Sequence, residues 1–280
     1  MSEPLYEIVP NISEGRDAAT VDACVAAIER AGARVIARSS DAVHHRGVIT
    51  AVGGAAAVLA AGTALAGVAL ERIDLRAHRG VHPRIGALDV LPFVPLRDAT
   101  LEECVRLAHA AGERIWERYR IPSYYYGAAA RVPERADLAA VRKHAAAWRP
   151  DAGDAHHARA GAIAIGARDV LVAFNVELAT GDVAVARAIA AILRERGGGL
   201  RTLKALGLQL GPERVQVSFN ITDYRATPLH RVAELVRKLA ADRGVAVVRS
   251  ELIGLVPREA VETAARYYAG LTPPGGASPA

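Results

Sequence analysis

The chain has 280 residues, 51% of them hydrophobic, and a net charge of +5. That length buries a substantial core and is long for one small α/β unit, so one large domain or two small ones is expected. A basic chain admits a polyanionic partner, but only Lys143, Lys204 and Lys238 are lysines and no Lys/Arg run exceeds two residues, so no nucleic-acid partner is expected.

Taken in chain order, Met1-Ser2-Glu3-Pro4 has no basic start followed by an apolar run, so no signal peptide is expected. Residues 6–10 read as a short strand and 17–31 as a helix, with Val21, Cys24, Val25 and Ile28 on one face. Strands at 34–38 and 46–52 follow, then an Ala-rich helix at 55–69. The weakly polar stretch 48–70 lacks the Leu/Ile density of a membrane span and reads as a buried helix, with no membrane partner. A strand at 87–94 closes the first β-α-β-β-α-β order. Thr100 with Glu103 makes a capping box for the next helix, whose apolar stripe includes Cys104. Cys24 and Cys104 read as buried thiols, and such low cysteine use fits a reducing, cytoplasmic setting. A strand at 123–126 is followed by a polar, partly helical stretch at 131–150 and a loop at 151–161.

The pattern then starts again. A strand at 169–176, a helix at 182–194, strands at 203–210 and 213–221 around Gly211-Pro212, a helix at 228–241 capped by Thr227, and a strand at 245–250 repeat the order. A helix at 257–268 and a Pro/Gly-rich tail, expected to be disordered, complete the chain. Element order twice over predicts an α+β fold of two ferredoxin-like β-α-β-β-α-β subdomains, duplicated, with a cleft between them. The boundaries fall at 1–168, 169–270 and the tail 271–280.

The stretch His78-Arg79-Gly80-Val81-His82-Pro83-Arg84-Ile85-Gly86-Ala87-Leu88-Asp89-Val90 gathers polar groups in an irregular turn before a buried strand. Gly80 and Pro83 forbid a regular helix, so His78 and His82 are not a metal pair one helical turn apart. An imidazole here suits reversible proton transfer. Arg84 suits a substrate carboxylate, gripped through two parallel hydrogen bonds. Its alternative is an ion pair with Asp89, in which case Arg46 takes the carboxylate. Asp89 itself could orient the imidazole, face solvent or cap a strand.

A second group, Ser39-Ser40-Asp41-Ala42-Val43-His44-His45-Arg46, lies in the first hairpin, and Asp41 and Arg46 join Arg84 as candidate substrate ligands. Adjacent histidines on extended chain point to opposite sides, so neither His44-His45 nor His156-His157 predicts a metal. A third group is Gly153-Asp154-Ala155-His156-His157-Ala158-Arg159-Ala160-Gly161, which by composition reads either as a linker or as a close-approach ligand loop.

Five separated motifs, in order, resemble the formiminotransferase family: Val9-Pro10-Asn11-Ile12-Ser13-Glu14-Gly15, the stretch 78–90 running into Pro92-Phe93-Val94-Pro95, Tyr124-Tyr125-Tyr126-Gly127, Gly166-Ala167-Arg168-Asp169-Val170-Leu171-Val172-Ala173-Phe174-Asn175, and Leu252-Ile253-Gly254-Leu255-Val256-Pro257. The resemblance spans about 7–270. It implies two ferredoxin-like subdomains, with tetrahydrofolate as co-substrate and N-formimino-L-glutamate as donor in histidine degradation. It further implies His82 as catalytic acid/base, folate against Gly153 to Gly161, no tightly bound cofactor, and a homodimer. No cyclodeaminase part is expected. Departures from the family pattern fall at Val81, at His45 and in the 153–161 loop. The alternatives are the same scaffold with another formimino or formyl donor, and a folate binder without turnover. An RNA-binding pair of sheets is disfavoured by only three Phe and no RNP-like run.

Overall fold

The structure, a computed structural model, describes residues 3–42, 44–80 and 83–271. The chain divides into two units, Met1–Asp169 and Val170–Ala280.

The first unit runs β1 (Leu5–Ile8), β2 (Asn11–Ile12), α1 (Ala18–Arg30), β3 (Arg34–Asp41), β4 (Arg46–Gly53), α2 (Ala55–Arg72) and β5 (Leu88–Arg97). β1 and β2 are two pieces of one strand interrupted at Val9 and Pro10, since both pair antiparallel with β4 and with β5. The resulting spatial order is β3, β4, β1/β2, β5, the order of a ferredoxin-like sheet. α1 starts at Asp17, whose side chain accepts the Ala19 N–H at 3.1 Å. α2 is long and apolar enough to cross a membrane by length and composition. Half of it is buried, and Val58, Ala61, Leu65 and Ala66 belong to the main core, as in a core helix of a folded domain.

The unit then grows. α3 (Leu101–Tyr119) opens with the Thr100–Glu103 capping box and is followed by β6 (Ser123–Gly127), α4 (Leu138–His144) and β7 (Ile163–Ala167). β7 inserts between β5 and β6, parallel to both. No strand was expected there from the sequence. In the run Ile163-Ala164-Ile165-Gly166-Ala167 three of five residues are Ala or Gly, which have little intrinsic strand preference. It is buried at every residue because a central parallel strand is covered on both faces. One cover is the main core, where α1, α2 and α3 pack on Tyr6, Ile8, Ile49, Leu91, Phe93 and Tyr125. On the opposite face α4 brings Val141 against Val90, Tyr124, Tyr126 and Ala164.

The second unit repeats the minimal plan: β8 (Val172–Leu178), α5 (Val183–Leu193), β9 (Leu203–Gly211), β10 (Arg214–Ile221), α6 (Leu229–Ala241) and β11 (Val247–Ile253), with spatial order β11, β8, β10, β9. Alternate residues of β8 and β10 (Val172, Phe174, Val176; Val217, Phe219, Ile221) face the two helices. α7 (Arg258–Tyr268) adds Ala260 to this core. One expectation is corrected: Thr227 does not cap α6. Its hydroxyl donates to the Arg201 carbonyl at 2.5 Å, and Pro228 occupies the cap position without a side-chain hydrogen bond.

Candidate active site

Four segments of the first unit converge: the turn after β2, the β3–β4 hairpin, the 74–89 loop into β5, and the 131–161 excursion. Backbone pairings tie them. Ser13 Oγ donates to the Gly86 carbonyl at 2.7 Å and the Ser13 N–H to the Ala87 carbonyl at 2.8 Å. Gly86 lies against Gly161, so close that a Cβ on Gly86 would stand 1.9 Å from the Ala162 oxygen. Gly15 is confined likewise, with Asp41 and Arg46 backbone atoms within 2.8 Å of the Cβ position. These glycines are needed for close approach of backbones.

His82 and Val81 lie outside the described residues, as does Val43. Arg84 is described, and its Nη1 and Nη2 donate to the carbonyls of His45 (2.9 Å) and His44 (2.8 Å), pinning the loop to the hairpin tip. Nη1 also meets His78 Nε2 at 2.8 Å. A guanidinium only donates, so His78 Nε2 accepts and the ring is neutral. Burial, then the Arg84 charge, push the His78 pKa down to about 4. The His78 ring lies 4.1 Å from that of His45, whose backbone takes a left-handed φ of 49°. His45 Nδ1 is 3.5 Å from Glu14 Oε1. Glu14 Oε1 itself accepts the N–H groups of Gly15, Arg16 and Asp17 at 2.7–3.0 Å, at the entry to α1 where the backbone favours an anion. Asp41 accepts the His44 N–H at 2.7 Å and faces His44 Nδ1 at 3.0 Å, closing the hairpin turn.

The charge centre of the site is Asp89. It is fully buried at the irregular start of β5. Its Oδ1 accepts the Ile85 N–H at 2.7 Å, and its Oδ2 meets both Arg46 Nη1 and Arg142 Nη2 at 2.7 Å. Burial works to raise this carboxyl; the Arg46 and Arg142 charges outweigh it and the net shift is downward. Arg46 is also buried, and its Nε and Nη2 donate to Asn11 Oδ1 at 3.1 and 2.9 Å. Burial pulls the Arg46 pKa down and Asp89 opposes that. Of the three open roles for Asp89, solvent exposure is excluded, and its ion-pair partners are Arg46 from the hairpin and Arg142 from α4. Arg142 was not singled out from the sequence. The only hint was that the 131–150 stretch stays polar where a core helix was due.

The loop from Gly153 to Gly161 is anchored at both ends. The His157 and Gly161 backbones pair, and His157 Nδ1 accepts the Arg159 and Ala160 N–H groups at 3.2 Å. Arg159 donates to the Leu70 and Glu71 carbonyls at the end of α2. His156 Nε2 meets the Tyr124 hydroxyl at 2.9 Å. Gly153, at φ 93°, presses on the Trp116 ring, and with Asp154 it borders an open pocket of about 540 Å³ flanked by Arg131, Arg135 and Arg149. Ala155 and Ala158 stand on the exposed side of the loop. Tyr126 lies across Gly166, where a Cβ would stand 2.5 Å from its ring. Among the described residues no group of three or more His, Cys, Asp or Glu is placed to hold a metal ion.

Two family models match the chain: the formiminotransferase domain, N-terminal subdomain, over residues 5–168, and the formiminotransferase domain over residues 173–272. The chain is 44% identical to the glutamate formimidoyltransferase of Thermoplasma acidophilum, over 94% of this chain and 92% of that protein. It is 41% identical to the glutamate formimidoyltransferase of Streptococcus pyogenes, over 94% and 93%. It is 38% identical to the formimidoyltransferase-cyclodeaminase of Rattus norvegicus, of which it spans 52%.

Proposed function

Because the chain belongs to the formiminotransferase family, we propose that it is a glutamate formimidoyltransferase, moving the formimino group of N-formimino-L-glutamate to N5 of tetrahydrofolate. The observation that carries this is the match of both halves, at 41–44% identity, to curated proteins of that name over nearly their whole length. The chemistry is acyl-type transfer between two amines. N5 attacks the formimino carbon, an N–C bond forms, and a tetrahedral adduct results. The bond from that carbon to the glutamate nitrogen then breaks. The proton lost by N5 ends on the departing amine, so one group that accepts and returns a proton serves both steps.

We assign that proton to His82. Support comes from the setting of its neighbours. C-terminal to His82, Arg84 is bound to the hairpin carbonyls and the Gly86 carbonyl to Ser13 of the β2 turn, and a catalytic group gains from preorganised surroundings. Asp41, Arg46 and Arg84 belong to the donor site in this reading. Arg84 shapes it by fixing the hairpin tip against the loop. The folate is assigned to the segment Gly153 to Gly161, where an aromatic wall, Trp116, and three arginines border one pocket. A pterin or aminobenzoyl ring stacks on such a wall, and a glutamate tail suits guanidinium. The finer assignments of cytoplasmic location, histidine degradation and a homodimer follow from the same family reading.

The test is direct. Purified protein is mixed with tetrahydrofolate and formiminoglutamate, and 5-formiminotetrahydrofolate is followed by absorbance, each substrate being omitted in turn. Product only when both are present is the expected result. Folate binding without turnover, or turnover only with another formimino or formyl donor, overturns the assignment.

A further inference from the structure

Two guanidiniums converge on one carboxylate oxygen at the site, and a third stands near. Arg46 and Arg142 each lie 2.7 Å from Asp89 Oδ2, and Arg84 is close enough for its charge to act on Arg46. Asp89 supplies a single negative charge, and its other oxygen is occupied by the Ile85 N–H. The side chains of Arg46 and Arg142 are only 9% and 16% exposed. Like charges drawn together away from water are costly unless an anion joins them. The other acids of this region are engaged in turns: one Glu14 oxygen accepts three backbone N–H groups, and Asp41 accepts the His44 N–H.

The two arginines differ in what they have left to give. Arg46 has Nη1 on Asp89 and both Nε and Nη2 on Asn11. Arg142 has Nη2 on Asp89, while its Nε is buried and has no hydrogen-bond partner among the described residues. A buried donor left unpaired costs free energy comparable to a lost hydrogen bond. The arrangement therefore has a spare charge and a spare donor on the same side chain. The Arg142 guanidinium is tied by Nη2 to Asp89, and α4 carries its stem.

We propose that Arg142 is a ligand for a carboxylate of the amino-acid donor, and that Arg46, through Asp89, positions it. This rests on the transferase reading above and moves the carboxylate contact from the hairpin to α4. The bound carboxylate restores charge balance in the cluster and supplies the missing acceptor to Nε. Arg142 is carried on the same excursion as the Gly153 to Gly161 loop, and Asp89 follows the His82 loop. The donor's carboxylate thus sits where the two proposed substrate segments meet.

Arg142→Gln and Arg142→Lys test this, with circular dichroism and melting temperature as controls for folding. Steady-state kinetics give KM for formiminoglutamate and, separately, for tetrahydrofolate. Calorimetric titration with L-glutamate reads the carboxylate site without turnover. For Arg142→Gln, KM for formiminoglutamate and the glutamate Kd should both rise about tenfold or more, with KM for tetrahydrofolate unchanged. Arg142→Lys keeps the charge and loses the planar fork, so it should fall between wild type and Arg142→Gln. An unchanged KM and Kd with a lowered melting temperature overturns the proposal and makes Arg142 a structural partner of Asp89 only. Should Arg142→Gln fail to fold, a wild-type KM and Kd in Arg142→Lys overturns it equally. The two readings fail separately. A wild type that binds glutamate through Arg142 without transferring the formimino group supports the receptor and overturns the transferase. Full wild-type turnover with an unaltered KM in the variants does the reverse.

Discussion

Asp89 in the first unit and Glu177 in the second are both buried carboxylates on a sheet face, and each is bound by two arginines. Asp89 meets Arg46 and Arg142; Glu177 meets Arg249 Nε at 2.8 Å and Arg214 Nη1 at 3.3 Å. The arginines of Asp89 are 9% and 16% exposed, whereas those of Glu177 are 58% and 59% exposed. Both carboxyls lie below their ordinary range, but for different leading reasons. At Asp89 the largest influence is burial, which raises, and the two guanidiniums overcome it. At Glu177 it is the hydrogen bond from Arg249, which lowers. The same residue types thus build a charge centre in one place and a solvent-screened surface clamp in the other. Burial of the partner decides which.

The largest effect expected in the first unit is on rate. His82→Asn should lower turnover by about a hundredfold to ten-thousandfold with the fold retained, since one proton-handling group serves both halves of the transfer. A folded variant with wild-type turnover removes His82 from the mechanism and the chemistry from this loop.

Next comes stability at the two carboxylates. Asp89→Asn should cost about 3–5 kcal/mol, because the buried Arg46 and the largely buried Arg142 lose their counter-charge. Glu177→Gln should cost at most about 1 kcal/mol, its partners being screened by water. Urea unfolding of both variants, compared with wild type, checks this. Equal losses would break the comparison.

Glycines sharpen it in a second way. Gly166 is pressed under Tyr126, so Gly166→Ala overpacks a buried contact and should cost about 1–3 kcal/mol. Gly211, in the second unit's hairpin, has nothing within 4 Å of its Cβ position. Gly211→Ala should change stability by about 0.5 kcal/mol or less in either direction. Melting curves of the pair decide whether the packing at Gly166 carries this cost.

The smallest effect is on acid sensitivity. His78 has a folded pKa of about 4, depressed from its ordinary 6.5. The unfolded chain therefore binds more protons than the folded one between these values. The contribution of His78 is complete above about pH 6.5 and is lost as pH falls toward 4. A His78→Asn variant should show a flatter fall in its urea midpoint through that window. Glu177 is ionised in both states down to the ordinary carboxylate range, so Glu177→Gln should keep the wild-type slope between pH 6.5 and 5. Matching slopes in wild type and His78→Asn would show that the His78–Arg84 contact carries no such coupling.

What the sequence by itself determined is the local and periodic part of this protein. The doubled β-α-β-β-α-β order and the Thr100–Glu103 capping box were legible because each depends on residues within a few positions of one another. The 78–90 stretch reads as a candidate site because its glycines and proline deny it a helix while it gathers histidines, arginines and an aspartate. Tertiary structure decided the rest. β7 is a strand because two neighbours and two cores enclose it, and nothing in its Ala/Gly-rich run demands that. Thr227 had the composition of a cap, but the Arg201 carbonyl claims its hydroxyl. Arg84 stands five residues from Asp89 in sequence, yet its hydrogen bonds go to the hairpin carbonyls. Arg46 and Arg142 are 43 and 53 residues from Asp89 and share one of its oxygens. A charged side chain reaches across strands to whichever opposite charge is buried nearest. Its partner is therefore a property of the folded sheet, and no spacing along the chain announces it.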